Sequence, residues 1–462
     1  MKRSLYWLTN DLRVNDNTAL TLASQSDKLL CVYVVDKNWF QAGNYQAKPL
    51  GNKRWHFLQD CLTDFNQRLL ALGQQLYIVY GDTLSSLTNL CQQYDITDVI
   101  TTRLPGTYEN SLITQLSNRF PQVTVNKVEQ FTLFKQDLLP FELEQLPTSY
   151  SKFKKAIVDT VISPVIPPTI ALPSPFKNMP SPTIFRPQWL PDTPYQETTL
   201  GFNFVGGEKS ALTHLEHYFS SDLPLNYQEV RNNLDGWDNS SKLSPWLGYG
   251  CISARQVITA ITDFENTHGK NKSTECLYLE ILWREYFQWL HYKVGSKMYQ
   301  FKGLAQHSPL TSFYPERFNK WCLGRTPYPL VNACMNELRQ TGYLSNRGRQ
   351  IVASCLVNEL SVDWRYGAAW FEERLIDYDA AVNWGNWQYI AGVGVDPRGG
   401  RHFNIDKQSA LYDPDGAYTA KWSAQDNNTN QSYQTLDSVD ASDWPVSNNS
   451  LTHDSLAGDN DS

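Results

Sequence analysis

The first 130 residues alternate between short runs rich in β-branched and aromatic residues and longer stretches with a helical period. The β-rich runs cover residues 5–8, 30–35, 76–79, 98–101 and 123–128. Helical patterns separate these runs, for example over residues 55–72 and 84–94. Strands that alternate with helices predict a parallel, doubly wound α/β sheet. No GxGxxG or Walker segment follows the first strand, so a standard dinucleotide or nucleoside triphosphate site is not expected there.

The pattern changes after residue 131. Ten Pro residues fall between positions 164 and 194, and Pro interrupts both helices and strand ladders, which predicts an extended connector. Helical periodicity then continues to about residue 422, before a final segment with many Asp, Ser and Asn and few apolar residues that is predicted to be disordered. The predicted division is an α/β domain (1–131), a Pro-rich connector (132–199), an all-α domain (200–422) and an acidic disordered tail (423–462).

Charge and cysteine usage narrow the class of protein. The net charge is −7, but the last 40 residues contain seven Asp and no Glu, Lys or Arg, so the rest is formally neutral. Overall charge therefore neither predicts nor excludes nucleic-acid binding. No apolar run approaches the ~18 residues of a membrane helix, and eight Cys without a CxxC pair predict reduced thiols in a cytoplasmic protein. His214 and His217 lack an evident third ligand, so we expect surface histidines and no metal site.

Residues 342–403 contain the densest combination of polar and aromatic side chains. A helical run over residues 350–360, which reads as uninterrupted, is flanked by polar clusters. Each polar residue alone fits an ordinary helical core whose Arg and Asp side chains pair at its edge. Together with the interleaved tryptophans they favour a pocket for a flat ligand with polar edges. The polar and aromatic side chains concerned are Asn346, Arg347, Arg349, Asp363, Trp364, Arg365, Trp370, Asp377, Asp379, Asn383, Trp384 and Trp387.

Three segments carry a resemblance to a known family. TGYLSNRGRQ, DWRYGAAWFEERLIDYD and NWGNWQYIAGVGVDPR resemble the flavin-binding core of the cryptochrome/photolyase family. The WQY ending and the Gln after NRGR resemble its DASH branch. The resemblance implies an N-terminal doubly wound α/β domain joined to an all-α, FAD-binding C-terminal domain. It also implies that reduced FAD, excited by blue light, splits cyclobutane pyrimidine dimers in DNA.

The resemblance assigns the cofactor contacts. Arg349 and Asp377 would form a salt bridge at the isoalloxazine edge, and Asn383 would lie near flavin N5. The Ser-rich turn before residue 245 would hold the pyrophosphate and ribityl chain, whereas the residues alone favour simple N-capping of the helix from Ser244. The full set implied for FAD is Tyr227, Ser240, Ser241, Lys242, Leu243, Ser244, Arg284, Asn346, Arg349, Asp377, Asp379 and Asn383.

A second group is implied for the DNA lesion and for electron transfer. Glu280, Trp283 and Arg284 share one helix face, which by itself predicts a Glu–Arg surface pair. In the family, Glu280 and Trp283 would lie in the lesion pocket, where a carboxyl buried beside Trp would have a raised pKa and could donate a proton. The full lesion set is Glu280, Trp283, Asn346, Gln350 and Tyr389. Trp321, Trp364 and Trp387 match the family's electron relay to FAD, with core aromatics as the alternative.

Departures from the family refine the expectation. Relatives that repair duplex DNA have Trp where this chain has Tyr389 and Met where it has Gln350, which predicts a preference for single-stranded or looped DNA. Glu109 matches a carboxylate that contacts a folate antenna, 5,10-methenyltetrahydrofolate; the alternative is a solvent-exposed Glu. Thr9 replaces a usual Arg. A monomer is expected. The other function considered is a non-catalytic blue-light receptor that binds DNA or a partner, but the presence of Glu280 favours the enzyme.

Overall fold

The N-terminal part is a five-stranded parallel sheet. The computed structural model describes residues 1–176, 190, 204–395 and 399–423. The strands are β1 (Arg3–Leu8), β2 (Lys28–Asp36), β3 (Leu76–Gly81), β4 (Asp98–Thr102) and β5 (Thr124–Val128). They pair in parallel in the order β3-β2-β1-β4-β5. The chain starts at the centre, runs to one edge and then crosses to the other, which confirms the doubly wound α/β fold.

Helices cover both faces of this sheet. They are α1 (Thr18–Ala23), α2 (Asn52–Ala71), α3 (Thr83–Gln93) and α4 (Thr107–Arg119). Successive side chains of a strand point to opposite faces. Tyr6 and Cys31 accordingly pack into a core with α2, whereas Trp7 and Val32 pack into a separate core with α3 and α4. Burial on both faces explains why β1 and β2 read as continuous apolar runs rather than as alternating ones.

The rest of the described chain is helical. The helices after β5 are α5 (Tyr150–Ala156), α6 (Glu208–Phe219), α7 (Leu223–Val230), α8 (Ser244–Gly248), α9 (Ala254–His268), α10 (Lys272–Val294), α11 (Pro315–Leu323), α12 (Pro329–Thr341), α13 (Asn346–Ser354), α14 (Trp364–Arg374), α15 (Ala380–Ile390), α16 (Ile405–Tyr412) and α17 (Ala417–Ser423). Helix α10 is 23 residues long, begins with an Asn271 capping box, and packs against α7, α9 and α15.

Buried charged groups join the helices to the sheet. The Glu285 carboxylate on α10 is fully buried and accepts hydrogen bonds from the backbone N–H groups of Leu133 and Phe134, at 2.7 and 3.1 Å. Arg255 on α9 forms a buried ion pair with Asp16, with an N–O distance of 3.0 Å. A charge held in such a low-dielectric place needs its partner, because removing one member leaves the other uncompensated. These contacts fix the sheet relative to the helices that build the site.

One segment differs from the prediction made from the sequence, and two others lie partly outside the described residues. The run over residues 350–360 is interrupted, since α13 gives way to a π-helical turn at Cys355–Glu359. Such turns are frequent at functional sites. Much of the predicted connector (177–189 and 191–199) and residues 424–462 of the predicted tail lie outside the described residues, so the domain boundaries stay predictions. Among the described helices, none is long and apolar enough to cross a membrane.

Candidate functional site

A cavity of about 620 Å³ opens among α7, α8, α10, α13 and α15. Its volume lies within the usual range for small-molecule and cofactor sites. Three of the predicted site residues, Glu109, Trp321 and Trp364, do not line it. All the others do: Tyr227, Ser240, Ser241, Lys242, Leu243, Ser244, Glu280, Trp283, Arg284, Asn346, Arg349, Gln350, Asp377, Asp379, Asn383, Trp387 and Tyr389.

The Ser-rich turn forms one wall. Lys242 is buried and adopts a φ of +51°, in the left-handed region that a non-glycine residue rarely occupies. The Nε2 atom of His214 lies 2.8 Å from the carbonyl oxygen of Ser241. His214 therefore supports this turn, and the expectation of a surface histidine was wrong for it. The N-capping interpretation of Ser244 was also wrong: Leu243 occupies the N-cap of α8, and the Ser244 hydroxyl donates to Asp377 at 2.7 Å.

An ion pair between α13 and the turn before α15 forms the floor. Arg349 Nη2 donates to Asp377 Oδ2 at 2.7 Å, and this oxygen also accepts the Ser244 hydroxyl bond. Burial alone would lower the pKa of Arg349, but the Asp377 carboxylate raises it. The other oxygen, Asp377 Oδ1, is buried and has no hydrogen-bond partner among the described residues. A buried oxygen without a hydrogen-bond donor suits a ligand that supplies an N–H or O–H group.

Asp379 connects α10 to α15. It caps the N-terminus of α15 by accepting the Val382 N–H, and it accepts two bonds from the Gln288 amide at 2.8 and 2.7 Å. Arg284 Nε lies 3.5 Å from the same carboxylate. Sequence reasoning missed Gln288. The signal that could have found it is the spacing of polar residues 280, 284 and 288, which share one face of an otherwise apolar helix.

Glu280 does not have the predicted environment. Its side chain is 38% exposed and forms an ion pair with Arg231, so it is not the buried carboxyl that the resemblance implied. The predicted surface pair between Glu280 and Arg284 was also wrong, because Arg284 faces Asp379. Burial alone would lower the pKa of Arg231, but the nearby Glu280 carboxylate raises it. Arg231, which sequence reasoning missed, therefore positions the Glu280 side chain at the cavity wall.

Aromatic rings build the opposite side of the cavity. Trp283 stacks on Tyr150 at 3.7 Å between centroids, with 12° between the ring planes. Tyr389 meets Trp283 edge-on, at 6.3 Å and 78°. Arg401 Nη2 donates to the Tyr389 hydroxyl at 2.5 Å. Tyr150 covers one face of the indole, so a ligand can stack on Trp283 through its other face alone.

The cavity also has a positive side. Arg231, Arg347 and Arg401 line it, and the Arg347 guanidinium lies over the rings of Tyr412 and Phe403 at 4.8 and 5.5 Å. Guanidinium groups held against aromatic faces keep their charge while losing little side-chain freedom, which suits phosphate recognition. Arg231 and Arg401 gave no signal in the sequence, because isolated arginines in loops are common.

The three predicted relay tryptophans are all buried. Trp387 lines the cavity and meets Trp321 edge-on at 6.2 Å and 74°. Trp364 instead meets Trp384, at 5.8 Å and 77°. The predicted order, from Trp387 through Trp364 to Trp321, therefore does not match these ring contacts. The relay itself stays a prediction.

Glu109 lines a second, smaller cavity of about 150 Å³ between the sheet and the helices. Glu109 is half-buried rather than fully exposed, and burial raises its pKa; its folate role stays a prediction. Glu372 lines the same cavity, and burial raises its pKa to about 7. Tyr378 and Asp379 line both cavities and thus separate them. Near the end of β1, the Thr9 hydroxyl is buried with no partner among the residues that the structure describes.

Comparison with known proteins agrees with this geometry. Residues 4–173 match the DNA photolyase family model, and residues 277–449 match the model of the FAD-binding domain of DNA photolyase. A curated Cryptochrome DASH of Idiomarina loihiensis is 44% identical, over 96% of each chain. The chain belongs to the DASH branch of the cryptochrome/photolyase family. The chloroplastic/mitochondrial Cryptochrome DASH of Arabidopsis thaliana is 37% identical over 91% of this chain and 75% of its own length.

Solved structures support the same assignment. A cryptochrome of Synechocystis sp. superposes with a TM-score of 0.85 at 36% identity, over 91% of this chain and 88% of that one. A bacterial class III photolyase from Agrobacterium tumefaciens gives 0.78 at 27% identity, over 91% and 86%. The chain therefore carries a photolyase-type FAD-binding domain. The larger cavity fits FAD, since it offers aromatic walls, a buried Lys beside hydroxyl groups, and the buried acceptor Asp377 Oδ1.

Proposed function

We propose that this protein is a light-driven lyase that uses FAD to split cyclobutane pyrimidine dimers, mainly in single-stranded or locally looped DNA. One observation carries the proposal: a single cavity joins the Arg349–Asp377 pair and the Ser-rich turn to the Glu280, Trp283 and Tyr389 cluster. A cofactor and a substrate bound in it would therefore lie close together. When bound and reduced, FAD supplies an electron that light drives onto the dimer and that returns after the ring opens.

The protein's own residues bind and orient the cofactor. Lys242 and the hydroxyls of Ser240 and Ser241 neutralise and hydrogen-bond the pyrophosphate, because cations and hydroxyl donors suit phosphate oxygens. Arg349 and Asp377 hold the ring edge, with Asp377 Oδ1 accepting a ring N–H. Asn383 is fixed by donating its amide to the Ala368 carbonyl at 3.0 Å. Tyr227, Leu243, Ser244, Arg284, Asn346 and Asp379 complete the contacts.

The cavity wall that contains Glu280, Trp283 and Tyr389 binds the dimer by stacking and by hydrogen bonding. The free face of Trp283 and the ring of Tyr389 stand nearly perpendicular, so they form a corner that can accept two bases tilted against each other. Glu280, positioned by Arg231, accepts hydrogen bonds from base N–H groups. The Gln350 Oε1 atom is buried with no partner among the described residues, so a base packed against it leaves this oxygen unsatisfied unless the base supplies an N–H donor. Arg347 and Arg401 lie where they can neutralise backbone phosphates.

The preference for single strands follows from the cost of flipping. An enzyme that acts on a stacked base must extrude it, which costs a few kcal/mol and least where the strand is already unpaired. Tyr389 offers less stacking area than Trp would. Burying the amide of Gln350 costs free energy unless it is hydrogen-bonded. Both residues weaken the hold on a flipped dimer without touching the electron path.

The test compares dimer-containing oligonucleotides, single-stranded and paired, under blue light with chemically reduced protein. We expect repair of the single strand and poor repair of intact duplex. Tyr389→Trp combined with Gln350→Met should raise duplex repair more than single-strand repair. Equal wild-type rates on both substrates would refute the strand preference. No repair of either, with FAD bound and reduced, would refute the lyase.

The smaller cavity supports a proposal for the antenna, 5,10-methenyltetrahydrofolate. Glu109 and Glu372 line it, and carboxyl groups pair well with the ring N–H and amino donors of a pterin. Glu109→Gln should reduce the near-UV folate absorbance of the purified protein while FAD content stays unchanged. A folate band unaffected by Glu109→Gln and by Glu372→Gln would show that the pigment binds elsewhere.

The second candidate function is a non-catalytic blue-light receptor that binds DNA or a partner protein. The acidic segment near the C-terminus favours it, because a run with seven Asp and no basic residue suits a signalling extension. The repair assay separates the two functions. A receptor would bind FAD and respond to light without restoring pyrimidines.

A further inference from the structure

Trp384 lies at a junction of aromatic side chains outside the larger cavity. It meets Trp364 at 5.8 Å, Tyr299 at 4.9 Å and Tyr45 at 6.2 Å between ring centroids. Its own ring is 3% exposed. Tyr299 and Tyr45 are both only half-buried. An oxidised tryptophan at this junction would therefore have two tyrosines within contact, each with access to solvent.

The junction is connected to the cavity through α14. A Cβ at Gly367 would lie 2.2 Å from Trp387 Cη2, so the Trp387 ring rests directly on the α14 backbone at that point. Gly367 follows Trp364 by three residues, which is about 4.5 Å along a helix axis and on the same face. Trp387 therefore lies against the same face of α14 as Trp364, and Trp364 meets Trp384. These three residues, called the tryptophan run below, lead from the cavity wall to Tyr299.

Tyr299 differs from Tyr45 by having a base. The Tyr299 hydroxyl lies 3.0 Å from Nε2 of His291, which is completely buried. Burial lowers the pKa of His291 to about 4, so the imidazole is neutral at physiological pH and its Nε2 can accept the phenol proton. Asp379 opposes that shift, and it would stabilise an imidazolium once formed. His291 Nδ1 is buried without a partner among the described residues, consistent with a group held for proton transfer rather than for structure.

We propose that Tyr299 and His291 form a proton-coupled redox pair that supplies electrons to the tryptophan run. The proposal rests on the light-driven function argued above. After light has drawn an electron from the indoles toward the cavity, Trp384 takes one electron from Tyr299. The phenol proton passes to His291 Nε2 in the same event, which leaves a neutral tyrosyl radical, an imidazolium and a restored Trp384.

The cycle closes with a soluble thiol. A thiolate gives one electron to the Tyr299 radical, His291 returns its proton to the phenolate oxygen, and two thiyl radicals combine to a disulfide. Tyr45 has no such histidine, because its hydrogen-bonding neighbour is the Arg365 guanidinium, centred 5.5 Å from its ring. A guanidinium has no acceptor for a proton, and the nearby Asp363 carboxylate is held by that guanidinium at 2.7 Å. Tyr45 is therefore the matched control, in contact with the same indole but without a neutral imidazole.

The test is electron paramagnetic resonance of protein loaded with oxidised FAD, frozen during blue illumination. We expect a tyrosyl radical signal in wild type and in Tyr45→Phe, and its loss in Tyr299→Phe, which keeps the ring but lacks the hydroxyl. In time-resolved absorption, the tryptophan radical should decay more slowly in D₂O than in H₂O for wild type and Tyr45→Phe. The decay in Tyr299→Phe should be the same in both solvents. A tyrosyl signal that persists in Tyr299→Phe, or is lost in Tyr45→Phe, would overturn the assignment.

A second variant and a separate assay keep the outcomes distinct. His291→Gln should keep FAD bound and Tyr299 packed while it weakens the tyrosyl signal, since an amide is a poor base; an unchanged signal would contradict proton transfer to His291. Repair by chemically reduced protein does not need Tyr299 and should be the same in Tyr299→Phe as in wild type. If reduced wild-type protein did not repair dimers, the proposed function would be refuted, whatever the radical spectra show.

Discussion

The Arg349–Asp377 pair offers the sharpest perturbation of the cavity floor. Arg349 Nη2 and Asp377 Oδ2 are 2.7 Å apart, with side-chain exposures of 26% and 3%. Asp377→Asn keeps the shape of the side chain and removes its charge. Arg349→Met keeps most of the length of the other partner and removes its guanidinium. Together with the double variant and wild type, these changes form a double-mutant cycle.

The expected coupling follows from the exposures. Breaking a buried ion pair by removing one partner costs about 3–5 kcal/mol, whereas exposed pairs contribute about 0–1 kcal/mol. Asp377 is nearly inaccessible but Arg349 retains contact with solvent, so we expect a coupling of about 2 kcal/mol between these limits. That corresponds to about a 30-fold change in the unfolding equilibrium, at ~1.4 kcal/mol per factor of ten.

The assay is urea unfolding of the four FAD-free proteins, followed by FAD titration of each. A control pair lies outside the cavity: Arg365 Nη2 and Asp363 Oδ2 are also 2.7 Å apart, with exposures of 26% and 7%. Asp363→Asn should lower stability but leave FAD affinity nearly unchanged, whereas Asp377→Asn should lower both. Single-variant effects that simply add within about 0.5 kcal/mol would refute the coupling. Equal loss of FAD affinity in Asp363→Asn would refute the cofactor role of Asp377.

Three further predictions concern electron transfer, the C-terminal segment and pH. Trp387→Phe should block light-driven reduction of bound FAD while repair by chemically reduced protein survives, and unchanged photoreduction would make Trp387 a core aromatic only. Deleting residues 424–462 removes seven Asp and should leave the unfolding midpoint unchanged while tightening DNA binding at low salt; a large drop in midpoint would contradict this. Burial raises the pKa of Glu337 from 4.5 to about 8, so the folded state holds a proton that the unfolded chain loses earlier. Stability should fall as pH rises from 4.5 to 8, by at most ~1.4 kcal/mol per unit, and Glu337→Gln should flatten that slope in urea unfolding at several pH values.

The fold was predictable where the signal is local. The alternation of β-rich and helical runs identified all five strands, and in β1 and β2 burial on both faces leaves continuous apolar segments. The interruption of the helix at Cys355–Glu359 was not predictable in the same way. Asn358 donates its amide to the carbonyl oxygens of Ser354 and Arg401, both at 3.1 Å. The turn thus depends partly on a contact 43 residues away, which no local pattern reports.

The site was predictable as a set of residue types but not as a set of partners. Helical spacing suggested that Glu280 pairs with Arg284, because side chains four residues apart are neighbours. In the structure Glu280 forms an ion pair with Arg231, on the turn after α7, and Arg284 forms one with Asp379. Tertiary packing around the cavity determines both pairs. The tryptophan contacts differ for the same reason, since the motifs specify which indoles occur but not which rings meet.

The most direct test of the central claim is pyrimidine recovery from a single-stranded oligonucleotide that contains one cyclobutane thymine dimer. FAD-loaded, chemically reduced protein is illuminated with blue light, and a dark sample and Glu280→Ala serve as controls. The account predicts light-dependent recovery of intact thymine by wild type, none in the dark, and much less in Glu280→Ala. Dimers that stay intact under light, with FAD bound and reduced, would contradict it and favour the receptor.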